Sequence, residues 1–227
     1  MASDNLFTKA PATHCPPRPF TSLLYVGLIG GAASGKSTVA KLFADRGGLW
    51  IDCDRLAHQV LEQAEVIQIV ASRFSTDILD DHGRIDRHQL AQFVFGEGEP
   101  ATTQRLWLQH LLHPRVRQLV QQRIDAAELA SAVIVIDAPM LIEAGWAGDC
   151  DRIVFIDTPI AQRREAAAAR GWSAGELARR ERSQLPLEEK LRWATDVLVN
   201  DGNLAELTAK VDTLWQQFTA SAQDPPI

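Results

Sequence analysis

The stretch Gly30-Gly31-Ala32-Ala33-Ser34-Gly35-Lys36-Ser37 constrains this chain more than any other feature. It fits the spacing G-x-x-x-x-G-K-[ST], follows an apolar run at 23–29 and leads into a helical pattern near Lys36. Gly30 and Gly35 permit backbone angles that a side chain would obstruct, so successive N–H groups can converge on phosphate oxygens. The helix that follows points its positive dipole end at the same place. On this reading the loop amides hold nucleotide phosphates. Lys36 supplies a full charge at the β/γ-phosphates, and the Ser37 hydroxyl is a ligand for Mg²⁺.

The surrounding pattern predicts an α/β protein. Short apolar runs at 23–29, 49–52, 133–137, 152–157 and 197–200 alternate with helical stretches at 36–46, 55–61, 87–95, 115–129, 160–170 and 204–218. The run Val133-Ile134-Val135-Ile136 suits a strand buried on both faces of a parallel sheet. A doubly wound five-stranded parallel sheet follows, flanked by helices, with ligands at the carboxyl ends of the strands. The core takes 23–54 and 131–219. Residues 55–130 read as a helical insertion that builds a substrate-binding subdomain. The Arg- and Glu-rich stretch 163–190 reads as a mobile lid rather than a core element.

Composition narrows the function classes. A net charge of −6 gives no basic field for nucleic acid, and no apolar run is long enough to span a bilayer. Cys15, Cys53 and Cys150 are odd in number and widely spaced, which argues against a disulfide framework or zinc site and for a reducing, cytoplasmic setting. Residues 1–22 hold several prolines and no apolar h-region, and read as a disordered extension rather than a signal peptide; 220–227 form a tail. The six tryptophans are scattered and read as packing residues.

Carboxylates stand at two strand ends. Asp137 closes the run 133–137, as does the acidic residue that holds magnesium through water in phosphate-loop proteins; a strand can also end in Asp simply to enter a turn. Asp52 and Asp54, two apart in Ile51-Asp52-Cys53-Asp54, could face one pocket. Asp54 has two readings that the residues leave open, the N-cap of the following helix and the carboxylate that orients and deprotonates an acceptor hydroxyl. His113, before Pro114, is either a helix-start residue or a ligand contact. Arg87, which opens a helix, is either a solvated charge or an anion ligand.

Taken in order, these motifs resemble the dephospho-coenzyme A kinase family. The resemblance runs from about Tyr25 to Trp215 and rests on the phosphate loop, Ile51-Asp52-Cys53-Asp54 with Ala57-His58, Ile85-Asp86-Arg87, Leu111-Leu112-His113-Pro114, Asp137-Ala138-Pro139-Met140-Leu141-Ile142-Glu143, and Gln184-Leu185-Pro186 with Lys190. It implies transfer of the γ-phosphoryl group of ATP, with Mg²⁺, to the ribose 3′-hydroxyl of dephospho-coenzyme A. It makes Asp54 the catalytic base with Lys36, puts residues 33–38 (Ala33, Ser34, Gly35, Lys36, Ser37, Thr38) and Arg180 on ATP, and gathers Asp52, Asp54, Arg87, His113 and Glu143 around the acceptor. It also implies a monomer with no nucleic-acid or membrane partner. Two small departures are Cys53 between the aspartates and Ala33 where glycine is common. In the lid, the family's Gln-x-x-Arg-x-x-x-Arg spacing counted from Gln162 meets Glu165 and Ala169, while a local shift uses Arg164 and Arg170. A nucleoside, nucleotide or shikimate-type kinase would share loop and sheet, and a non-enzymatic ATP-binding module is the alternative of a different class. A GTPase is disfavoured because the chain contains no Asn-Lys-x-Asp.

Overall fold

Strand patterning accounts for the layers. In a computed structural model that describes residues 23–94, 99–127 and 133–223, the strands are β1 (Leu24–Gly30), β2 (Leu49–Asp52), β3 (Val133–Asp137), β4 (Arg152–Asp157) and β5 (Asp196–Val199). They form one parallel sheet in the order β2-β3-β1-β4-β5. The helices are α1 (Lys36–Ala44), α2 (Cys53–Leu61), α3 (Ala64–Phe74), α4 (Arg87–Val94), α5 (Glu99–Asp125), α6 (Ile160–Ala169), α7 (Ala174–Arg182), α8 (Leu187–Trp193) and α9 (Leu204–Gln223). The expected extension at 1–22, the helix ends at 95 and 128–129, and residues 224–227 of the tail lie outside the described residues.

Successive strand side chains point to opposite faces, and each face has its own core. Val26, Leu28, Val133, Val135, Val154, Ile156 and Leu198 pack with Val39 and Phe43 of α1 and with Leu207, Val211 and Phe218 of α9. Ile29, Ile51, Ile134, Ile136, Ile153 and Phe155 pack on the other side with residues from α2 to α5. With both faces covered, β3 is buried along its whole length, Asp137 included. The order places β1 between β3 and β4, so the loop after β1 opens at the carboxyl edge where crossovers diverge, which is where such sheets take ligands.

Four local expectations change. The insertion is not helical throughout: 75–86 is a turn segment closed by an antiparallel bridge between Leu79 and Ile85, with Asp80 Oδ1 accepting from the His82 and Arg84 amides. Helix α5 does not start at Pro114. It begins at Glu99 and carries Pro114 inside, which leaves the His110 carbonyl without its usual helical donor. Burial of Leu112, Val116, Val120 and Ile124 on one side offsets that loss. The cap of α2 is Asp52, whose Oδ1 accepts the Arg55 amide at 2.9 Å, and Asp54 lies in the first turn. The stretch 163–190 holds most of α6, all of α7 and the start of α8, and buries Arg163, Leu177 and Lys190. Among the described residues no helix is long and apolar enough to cross a membrane.

Candidate active site

The phosphate loop is held from behind. Thr158 Oγ1 donates to the Ser34 carbonyl at 2.8 Å and Asn200 Nδ2 to the same oxygen at 3.1 Å, tying the loop to the ends of β4 and β5. Gly35 sits at φ 90°, and α1 has no side-chain cap, so its first N–H groups remain open at the loop. Ala33, at φ 59°, occupies a left-handed conformation, which accounts for glycine being common there; a methyl side chain tolerates it at a cost of about 1 kcal/mol.

The loop forms one wall of a cavity of about 260 Å³. Ala32 to Ser37 line that wall; Asp52 and Asp137 at strand ends, Asp54 in the first turn of α2, and Arg170, Trp172, Arg180 and Gln184 also line the cavity. Lys36 is buried at the base, where its Nζ donates to the Gly31 carbonyl at 2.8 Å. Burial, and then the neighbouring Lys190 charge, pulls the Lys36 ammonium down to about 8. Asp54 is solvent-reachable yet forms part of the cavity wall. Loss of hydration there, followed by repulsion from Asp52 and Asp137, pushes its carboxyl up to about 6. Asp137 is also raised, chiefly by burial, against the opposing influence of Ser37 and Lys36. The Cys53 thiol, buried among these carboxylates, is pushed up to about 12 and stays protonated.

Asp52 and Asp54 do share the pocket, but not as alternate residues of one strand. The chain turns into α2 at Cys53, and that turn swings both carboxylates toward the loop. Thr38, in the first turn of α1, is exposed and outside the wall. Arg87, His113 and Glu143 are not among the lining residues. Arg87 Nη1 lies 3.1 Å from His58 Nδ1, one helical turn beyond Asp54. His113 is half-buried in α5, and burial together with Arg117 and His110 pulls it down to about 4, so it is neutral at physiological pH. Glu143 Oε1 accepts the Leu185 amide at 2.7 Å and lies 3.8 Å from the buried Lys190 ammonium.

Two lining residues had a weak signal or none in the sequence. Arg170 was one of two alternatives for the lid, and the structure brings it to the cavity without Arg164. Trp172 looked like a packing residue. The motif Arg170-Gly171-Trp172 at a helix end was the only available hint.

A parallel sheet with a phosphate-cradling loop at its switch point, carboxylates beside it and arginines facing it define a P-loop kinase. Residues 24–206 match the family model described as CoaE, dephospho-CoA kinase, and the chain belongs to that family. It is 32% identical over 209 residues to the dephospho-CoA kinase of Rhodopirellula baltica, covering 92% of this chain and 96% of the relative. It is 35% identical over 208 residues to that of Moorella thermoacetica, covering 90% and 96%. A crystal structure of a Thermus thermophilus protein, TT1252, superposes with a TM-score of 0.74 at 31% identity, covering 86% of this chain and 97% of that one. The activity is ATP-dependent phosphorylation of dephospho-CoA, within coenzyme A biosynthesis.

Proposed function

We propose that Asp54 aligns and deprotonates the ribose 3′-hydroxyl of dephospho-CoA for in-line attack on the γ-phosphorus of ATP bound along 33–38. The observation that carries this reading is the shared cavity, which Asp54, Lys36, Asp137, Arg170 and Arg180 all line. A carboxylate raised to about 6 is ionised at neutral pH yet basic enough to take a proton as the oxygen–phosphorus bond forms. Lys36 and the two arginines meet the charge spread over the phosphoryl oxygens, and positioning carries most of the remaining acceleration. Arg170, Trp172, Arg180 and Gln184 of the 163–190 stretch line the cleft, where they limit access of water and so wasteful hydrolysis.

Magnesium fits the donor set. Ser37 and the mutually repelling carboxylates offer hard oxygen ligands, and no cluster of three His, Cys, Asp or Glu among the described residues forms an all-protein cage. Ser37 and Asp137 would hold the ion, which when bound neutralises charge on the β- and γ-phosphates. Arg87 and His113 would contact the acceptor from the helical insertion, His113 as a neutral ring. Glu143 is better explained as a strut that ties the Leu185 segment to the loop after β3. The unclustered cysteines support a cytoplasmic setting.

Mass spectrometry of dephospho-CoA incubated with ATP, with and without magnesium, tests the assignment. A gain of one phosphate that needs magnesium and does not occur with adenosine, AMP or shikimate is expected. No product despite ATP binding would redirect the assignment to another small-molecule kinase.

Nucleotide binding should also be linked to protons. Lys36 sits near 8 in the free protein, and phosphate oxygens favour its charged form, so at about pH 9 binding takes up a proton. Calorimetry of ATP binding in buffers of different ionisation heat will show this uptake, and Lys36→Met will remove it. A binding heat independent of buffer at that pH would contradict the assigned contact.

A further inference from the structure

Helix α6 ends in a Schellman motif. Arg170 is the C-cap, and Gly171 follows at φ 75°, a conformation that favours glycine. The Trp172 amide donates to the Ala167 carbonyl at 3.0 Å and the Gly171 amide to the Ala168 carbonyl at 2.9 Å, the paired bonds of this cap. The cap fixes where Trp172 leaves the helix, and its side chain packs against the cluster of Ala32 and Ala33 from the phosphate loop with Ala167 and Leu177. A structural role would end there.

The rest of the indole faces the cavity, and two cations lie against it. The Arg180 guanidinium carbon is 4.1 Å from the ring centroid and that of Arg170 is 5.5 Å away. All three side chains line the same cavity as Lys36 and Asp54. Glu176 adds a second hold on Arg180, accepting from its Nε at 2.8 Å. The Arg180 charge is felt at Asp54 and the Arg170 charge at Lys36.

We propose that Trp172 is a positioning residue for phosphoryl transfer: its indole holds the Arg170 and Arg180 guanidinium groups over the phosphate loop, so that both meet the transferring group already oriented. The proposal rests on the kinase reading above. Free arginine side chains sample many rotamers, and a shared aromatic face removes that freedom before substrate arrives. An orienting residue of this kind acts on kcat far more than on acceptor binding.

Steady-state kinetics of Trp172→Leu and Trp172→Phe, alone and in an Arg170→Ala/Arg180→Ala background, test this. Leucine keeps the apolar contact with Ala167 and Leu177 but has no aromatic face; phenylalanine keeps both. Trp172→Leu should lower kcat roughly tenfold, with KM for dephospho-CoA changed less than about twofold and the melting temperature unchanged. Trp172→Phe should recover to within about threefold of the unsubstituted protein. Without the two guanidinium groups, Trp172→Leu should cost less than about twofold more. Wild-type kcat in Trp172→Leu would overturn the proposal, as would equal losses in both variants with a falling melting temperature, or full additivity with the arginine substitutions. If Trp172→Leu does not fold, Trp172→Met makes the same comparison. Absence of turnover by the unsubstituted protein on dephospho-CoA would instead overturn the kinase reading itself.

Discussion

Asp54→Asn is expected to lower turnover by a factor on the order of a hundred or more while ATP still binds. Asparagine keeps the size of the side chain and can still contact a hydroxyl, but it cannot accept its proton. The phosphate loop lies on other residues, so equilibrium binding of nucleotide should change little. The pH profile makes the expectation sharper. Burial raises the Asp54 carboxyl to about 6, so kcat/KM of the unsubstituted protein should fall as pH drops through that value and level off above it. In Asp54→Asn that acid limb should be absent. Stability moves the other way. A carboxyl whose folded pKa exceeds its ordinary value binds more protons in the native state between pH 3.8 and about 6, so stability declines as pH rises through that window. Removing the charge should therefore raise the melting temperature at neutral pH. Lower activity with equal or higher stability is the signature of a functional carboxylate. Unchanged turnover in Asp54→Asn would sink the assignment.

Glu143→Ala is expected to be among the most destabilising single substitutions in the chain. Lys190 is 1% exposed, and among the described residues its ammonium is ion-paired with Glu143 alone, with Gln184 Oε1 at 2.7 Å and two main-chain carbonyls also in contact. Burial holds the Lys190 pKa below its usual range and Glu143 works against that shift. Truncating Glu143 leaves a buried charge without its counter-ion and the Leu185 amide without its acceptor, at a cost of about 3 kcal/mol. For a chain of this size that corresponds to a fall in melting temperature of roughly 6–12 °C. The companion variant Glu143→Leu/Lys190→Met should recover much of the loss, because an apolar pair of similar volume avoids desolvating two charges. A thermal scan of Glu143→Ala showing a shift below about 2 °C would mean that the Gln184 oxygen and the carbonyls suffice for Lys190.

The pair also shows why the candidate site was only partly legible. Glu143 and Lys190 are 47 positions apart in the numbering, on the loop after β3 and in α8, and nothing local marks them as partners. From its motif alone Glu143 resembles an acceptor contact; in the structure its Oε1 accepts the Leu185 amide of the lid segment. His113 was read at a helix start because proline is at home there. Packing of Leu112, Val116, Val120 and Ile124 along a 27-residue helix overrode that preference. Asp54 could not be told from an N-cap until the turn into α2 showed that Asp52 caps it. Trp172 was invisible because a tryptophan in a core and one under two arginines look the same in a sequence.

By itself the sequence determined what depends on local chemistry and period. The glycine spacing around Lys36 allows one kind of backbone cradle, and the buried apolar runs demand a parallel sheet with both faces covered; those two features led to the fold and the phosphate-binding loop. The tertiary structure decided which distant side chains converge on that loop. The raised carboxyl of Asp54, the lowered ammonium of Lys36, the burial of Lys190 beside Glu143 and the meeting of Arg170, Arg180 and Trp172 all arise from separate elements brought within a few ångströms of one another. Desolvation and Coulomb interactions act through space and fall off with distance, so no reading along the chain can supply them.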